Sequence, residues 1–146
     1  MSGPPDNPGI VRDETGTQRT LGYEFDLGGG DGRARCRLTV DERHTNRIGM
    51  FHGGLLAVML DNAMGGAASL SVDASGMSPI VTVSLNTNFV GMAKLGDRLT
   101  AEAWVTGGGR SLKFVEAHVR DQDGRLVGTG TGVFKSTPDR KPSGPR

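Results

Sequence analysis

The sequence predicts an α+β domain in which a curved antiparallel sheet wraps around one long helix. Three observations carry this reading. The elements run strand, strand, one long helix, then four strands. Glycine- and aspartate-rich turns separate the later strands, and such turns join antiparallel neighbours. A lone helix with one apolar stripe can bury that stripe only against a sheet.

The 146 residues suffice for a single domain with its own core. Residues 1–18 and 137–146 are rich in proline, glycine and charge, and read as flexible extensions around a body of residues 19–136. "TLGYEFDL" (20–27) reads as a strand, "GGGDG" (28–32) as a turn and "RARCRLTV" (33–40) as a second strand. In the second, Ala34, Cys36, Leu38 and Val40 alternate with Arg33, Arg35, Arg37 and Thr39, so one face is apolar and the other wet. His44 to Phe51 reads as a loop.

The helix is expected over 53–72. Leu55, Leu56, Met59, Leu60, Ala63, Met64, Ala67 and Ala68 recur at helical spacing. Gly65 and Gly66 weaken it by about 1 kcal/mol each relative to alanine. Close backbone packing is the reading preferred for them. After a Gly/Ser/Pro loop, "IVTVSLNTNFV" (80–90) alternates, with Val81, Val83, Leu85 and Phe89 on one face. Strands at 98–106, 110–120 and 125–135 follow, joined by "GGG" and "DQDG". All four are expected to form a meander. "DQDG" shares the opening of a calcium loop but lacks its remaining ligands, so it reads as a hairpin turn.

Composition excludes several classes. Lys plus Arg is 17 and Asp plus Glu is 16, far from the basic field of a nucleic-acid binder. A single cysteine, Cys36, allows no disulfide within the chain and no multi-cysteine zinc site, in keeping with a cytoplasmic location. The N-terminus has no apolar signal-peptide core. Asp61, Asn62 and Gly65-Gly66 interrupt the longest apolar run, so no membrane crossing is expected.

The chemistry concentrates in "HTNRIGMFHGGLLAVMLDNAMGGA" (44–67). A helix opens on His52-Gly53-Gly54, and one carboxylate, Asp61, stands in its apolar middle. The first N–H groups of a helix lack intrahelical partners and carry the positive end of its dipole. Glycine at 53 and 54 leaves that backbone open to close approach. Read alone, "HGG" is better taken as an ordinary helix entry, and Asp61 is equally a carboxylate on the helix's wet edge.

Asn46, Gly49, His52, Gly53, Gly54 and Asp61 satisfy N-x-x-G-x-x-H-G-G-x6-D without a gap. This pattern, with "AKLGDRLTAEAWV" and "GGGRSLKF" downstream, resembles the hotdog-fold acyl-CoA thioesterases of the phenylacetate-pathway-type (PaaI-like) branch and their animal relatives. The resemblance implies a hotdog fold and hydrolysis of an acyl- or aryl-CoA thioester, with no cofactor apart from the CoA of the substrate. It implies that the Gly53 N–H polarises the thioester carbonyl, and that Asn46 and His52 shape that pocket. It makes Asp61 the nucleophile or the general base, with Thr82 holding the water or the carboxylate. Asn88, Phe89, Val90 and Gly91 would follow the pantetheine arm, and Arg110, Ser111 and Lys113 the nucleotide phosphates.

Helix geometry adds a constraint of its own. Gly53 and Asp61 lie eight residues apart, ~12 Å along the axis and pointing in different directions. A thioester carbonyl and the atom attacking it must lie ~3 Å apart. One chain cannot easily supply both groups to one thioester. A homodimer with composite sites is expected, or a dimer of dimers, each site taking Gly53 from one chain and Asp61 from the other. The acyl pocket is expected around Met50, Phe51 and the Met59–Met64 stretch of either chain. A non-catalytic acyl-CoA-binding protein is the main alternative. A metal site on His44, His52 and Asp61 has no defensible spacing, and a hotdog dehydratase would carry a different pattern. His44 is expected to support the loop, and His118 has no evident partner.

Overall fold

The computed structural model describes residues 9–137. Of the two expected flexible ends, residues 1–8 and 138–146 lie outside the described residues. Ordered structure nevertheless begins ahead of residue 19. Strand β1 (Ile10–Val11) pairs with β2 (Glu24–Asp26), and helix α1 (Gly16–Leu21) stands between them. The strand expected over 20–27 is therefore only three residues long. Its first part is helical because capping signals flank it. Thr15 accepts the Gln18 N–H at 3.1 Å, and Gly22, at φ 79°, closes the helix by donating to the Gln18 carbonyl. Gln18 is buried. Its Nε2 donates to the Val11 carbonyl and its Oε1 accepts the Glu14 N–H, tying the segment into a strap.

One sheet holds seven strands, all antiparallel; with β3 at Ala34–Thr39, β4 at Ile80–Phe89, β5 at Arg98–Gly108, β6 at Leu112–Arg120 and β7 at Leu126–Ser136, the order is β1-β2-β3-β5-β6-β7-β4. It curves around α2 (Gly53–Val72), the helix expected from the spacing. This is the hotdog architecture. Strands β5, β6 and β7 form the expected hairpins. Strand β4 does not join β5; it pairs with β7 at the far edge. The segment from Val90 to Asp97 is too long for a tight hairpin. It is tied instead to the loop ahead of α2, through the Met50–Lys94 bridge and a Phe51 N–H donated to the Ala93 carbonyl.

Leu56, Met59, Leu60, Ala63, Met64, Ala67 and Ala68 of α2 are buried beneath this sheet. The helix reaches a mean hydropathy of 1.4, more apolar than the interrupted run suggests; by length and composition alone it is apolar enough to cross a bilayer. Here the sheet covers its apolar stripe. Glycines let the two come close. A Cβ at Gly128 would lie 2.7 Å from Leu56 Cδ2, and one at Gly66 only 2.9 Å from the Cβ of Ala34. Close packing thus accounts for Gly66. Gly65 is different: its nearest such neighbour is the Phe134 ring, at 3.8 Å.

Strand β4 carries a bulge between Thr82 and Ser84. One extra residue inverts the side-chain parity of a strand. Thr82 pairs with buried Phe134, and Leu85 and Phe89 pair with Gly132 and Gly128, so these three share the helix-facing side. Val81 and Val83 do not share it, contrary to the simple alternation.

Candidate active site

The N-terminal end of α2 is built by its own neighbourhood. Asn46 Oδ1 accepts the N–H groups of Ile48 and Met50, at 3.0 and 3.1 Å, and so folds the loop before the helix. His44 is fully buried. Its Nδ1 accepts the Asp41 N–H at 2.9 Å, which leaves Nε2 to donate to the Leu21 carbonyl at 2.7 Å. Both ring nitrogens are thus engaged in holding the loop. His52 caps the helix, its Nδ1 accepting the Gly54 N–H at 2.9 Å.

This capping singles out one donor. Gly54 donates to the His52 ring, and Leu55 and Leu56 donate to the His52 carbonyl at 2.9 and 3.3 Å. Among the described residues no acceptor takes the Gly53 N–H. A Cβ at Gly53 would lie 3.1 Å from the Phe89 ring, so β4 reaches the helix start here. Asn88, Phe89, Val90 and Gly91 therefore lie at this end, with Val90 and Gly91 anchored by N–H bonds to the Val127 carbonyl.

Asp61 lies eight residues further along the same helix, half-buried. The Thr82 hydroxyl donates to its Oδ1 at 2.7 Å. Oδ2 takes no hydrogen bond among the described residues. Thr82 reaches it because it pairs with buried Phe134 on the helix side of β4, just ahead of the bulge.

A cavity of about 350 Å³ opens beside this pair. Phe25, Leu27, Met77, Ile80 and Phe134 supply apolar walls, and Val11 and Glu14 of the strap border it. Of the residues expected around the acyl pocket, Asp61 and Asn62 of the Met59–Met64 stretch line this cavity, whereas Phe51, Met59 and Met64 do not. All three side chains are buried in the core, with Met64 packed toward Gly130 and Gly132 of β7. A cap at Thr15 and a stop at Gly22 were the available signals that the N-terminal segment folds.

Arg110, Ser111 and Lys113 lie at the other end of α2. Arg110 and Lys113 share a recess of about 590 Å³ with Ser71, Val72 and Ser136. The helix from Gly53 to Val72 spans roughly 28 Å at 1.5 Å per residue. Within one chain these cations cannot serve a ligand at the Gly53 N–H at close range. His118, without a partner in the sequence reading, packs its ring 5.3 Å from that of Trp104, and its pKa is lowered by burial and by Arg120. Burial also pushes the Cys36 thiol up to about 12, so it stays protonated.

Residues 48–128 match the model of the thioesterase superfamily. The chain is 32% identical to human acyl-coenzyme A thioesterase 13 over 114 residues, 77% of this chain and 79% of the relative. Zebra fish thioesterase superfamily member 2 matches in structure with TM-score 0.70 and 29% identity, over 85% of this chain and 88% of that one. The Escherichia coli PaaI protein of the phenylacetic acid degradation operon shares the fold, with TM-score 0.73 and 23% identity, over 86% of each chain. With a helix start that leaves one backbone donor open, a carboxylate held by a threonine, and these matches, the chain belongs to the thioesterase superfamily and is a thioester hydrolase of the hotdog fold.

Proposed function

We propose that the protein hydrolyses an acyl-CoA thioester to the free acid and CoA, at sites shared between two subunits. The observation that carries this is the division of the machinery along α2. Its one unclaimed early N–H is at Gly53 and its carboxylate at Asp61, two turns apart. In the composite site the thioester oxygen accepts the Gly53 N–H of one chain. Asp61 of the partner subunit, aligned by its own Thr82, acts on the acyl carbon from the other side.

Two routes use the same groups. As general base, Asp61 takes a proton from a water that attacks the carbonyl carbon; the C–S bond then breaks, and the CoA thiolate leaves and is protonated. As nucleophile, Asp61 forms an anhydride with the acyl group, expels the thiolate, and is freed by water. In both, negative charge grows on the carbonyl oxygen. One well-placed donor there is worth roughly 3–4 kcal/mol. Water is the only co-reactant.

The edge strand supports the pairing. Strand β4 offers an open outer edge ten residues long, with Val83 57% and Phe89 64% exposed in a single chain. An open apolar edge of this kind invites another strand. A two-fold axis beside β4 would join two sheets edge to edge and set the two α2 helices antiparallel. Arg110, Ser111 and Lys113 of the partner subunit would then fall beyond Gly53, on the side where the nucleotide phosphates extend. Asn88 to Gly91 would line the path between them, and Gly54 leaves the helix entry open. Two such dimers associating would leave the composite site unchanged in kind. The name of a similar structure, smu.793 of Streptococcus mutans bound to acetyl CoA (TM-score 0.65, 27% identity), supports CoA as the carrier.

A panel of acyl-CoA thioesters, assayed for free thiol with the native chain and with Asp61→Asn, tests the reading. Turnover that depends on Asp61 is expected. Saturable binding of CoA thioesters without turnover would favour a binding protein instead.

A further inference from the structure

We propose that the cavity beside Asp61 receives the acyl group, and that the N-terminal strap decides which acyl groups fit. This rests on the acyl-CoA reading above and adds to it a substrate class. The subunit that supplies the carboxylate would also supply the acyl pocket, while the other supplies the backbone donor.

The cavity is the described space that Asp61 and Thr82 both line. An acyl carbon within reach of Asp61 therefore has this volume next to it. At about 350 Å³ it lies near the small end of ligand pockets, which run from roughly 300 to 1,000 Å³. A ring or a medium-length chain suits it; a long fatty chain does not. The strap is held in place from within. Buried Gln18 ties Val11 and Glu14 together, and Val11 pairs with Phe25. Val11, Glu14, Phe25 and Leu27 all precede residue 48, where the match to the family model begins.

Charge narrows the class further. Asp61 and Glu14 both line the cavity, and among the described residues it holds no lysine or arginine. An acyl group ending in its own carboxylate would meet two carboxylates there and no cation to pair with. Uncharged acyl groups of ring or medium-chain size are the class assigned.

Substrate ratios test this without relying on absolute activity. The kcat/KM for octanoyl-CoA is divided by that for acetyl-CoA in the native protein, in Val11→Phe, which fills the cavity, and in Met77→Ala, which enlarges it. Val11→Phe should lower the ratio by roughly 10-fold or more, the discrimination that a methylene-scale misfit carries. Met77→Ala should leave the ratio unchanged or raise it. Arg12→Ala, on the same strap but paired outward with Glu24, should not move it. Glu14→Gln should raise kcat/KM for glutaryl-CoA several-fold relative to pentanoyl-CoA. A ratio unmoved by Val11→Phe in a protein of native melting temperature overturns the pocket assignment. So does an unmoved glutaryl preference in Glu14→Gln. If instead the native protein turns over none of these thioesters, the acyl-CoA reading itself fails, and this inference with it.

Discussion

The two halves of the site differ in how they are made. The donor half is local: His44, Asn46, His52 and Gly53 lie within ten residues, and their contacts run mostly from one turn to the next. The carboxylate half is non-local. Asp61 meets Thr82 twenty-one residues on, in a separate strand, and the adjoining cavity needs a strap from the chain's first described residues. The donor half uses backbone, so most side-chain changes leave it standing. The carboxylate half depends on one side chain and on a register.

Removing the carboxylate should have the largest effect. Asp61→Asn keeps the shape and the Thr82 contact but removes the base or nucleophile. Steady-state assays should show kcat lower by roughly 10²–10⁴-fold, with substrate binding retained. A comparable kcat would end the catalytic role of this side chain.

The donor half can be attacked through the backbone alone. Gly53 is the first residue of α2, a position that tolerates proline, and His52 at ψ 128° already has the extended geometry required before one. Gly53→Pro deletes the unclaimed N–H and little else. We expect kcat to fall roughly 10²–10³-fold with the melting temperature nearly unchanged. The Phe89 ring, 3.1 Å from the new Cβ, must give by only a few tenths of an ångström.

Thr82→Val is a finer probe. It leaves Asp61 without its hydrogen bond, and a single neutral-to-charged bond of this kind is worth about 1.5–3 kcal/mol. A drop in kcat of tenfold or more, greater than its effect on KM, is expected. A change confined to KM would make Thr82 a binding contact only.

The smallest effect concerns stability, away from both halves. Asp26 carries a lowered pKa: the Arg37 hydrogen bond and charge and the Gly28 N–H outweigh burial, which opposes them. A carboxylate lowered on folding contributes stability above its unfolded pKa, and that contribution is lost as pH falls through the folded value. Below pH ~4 Asp26→Asn should therefore lose less stability than the native protein does. Equal acid sensitivity would show that this pair matters little.

How legible each part was follows from range. The bounds of α2 follow from its 3.6-residue period, and Gly53 and Asp61 stood out because their motif lies within sixteen residues. The bulge in β4 had no local mark, since Val81, Val83 and Leu85 alternate as if the strand were regular. Nor did the placement of β4 beyond β7, which depends on pairings between Ile80 and Ser136 at one end and Phe89 and Gly128 at the other. Met59 and Met64, expected to line the acyl pocket, do not line the cavity beside Asp61; its walls, Val11, Phe25 and Ile80 among them, come from separate segments that only the fold brings together. Burial of Met59 and Met64 under the β7 glycines was the competing demand that won.

The central claim is that each site takes its donor from one subunit and its carboxylate from the other. Mixing Gly53→Pro with Asp61→Asn chains tests it directly. A heterodimer would join one chain's intact Asp61 to the other's intact Gly53, restoring one of its two sites. Equal mixtures should then recover about a quarter of native activity, since half the dimers are mixed and each has one working site. If subunits exchange, both variants stay folded, and the mixture remains as inactive as its parents, the composite site is contradicted.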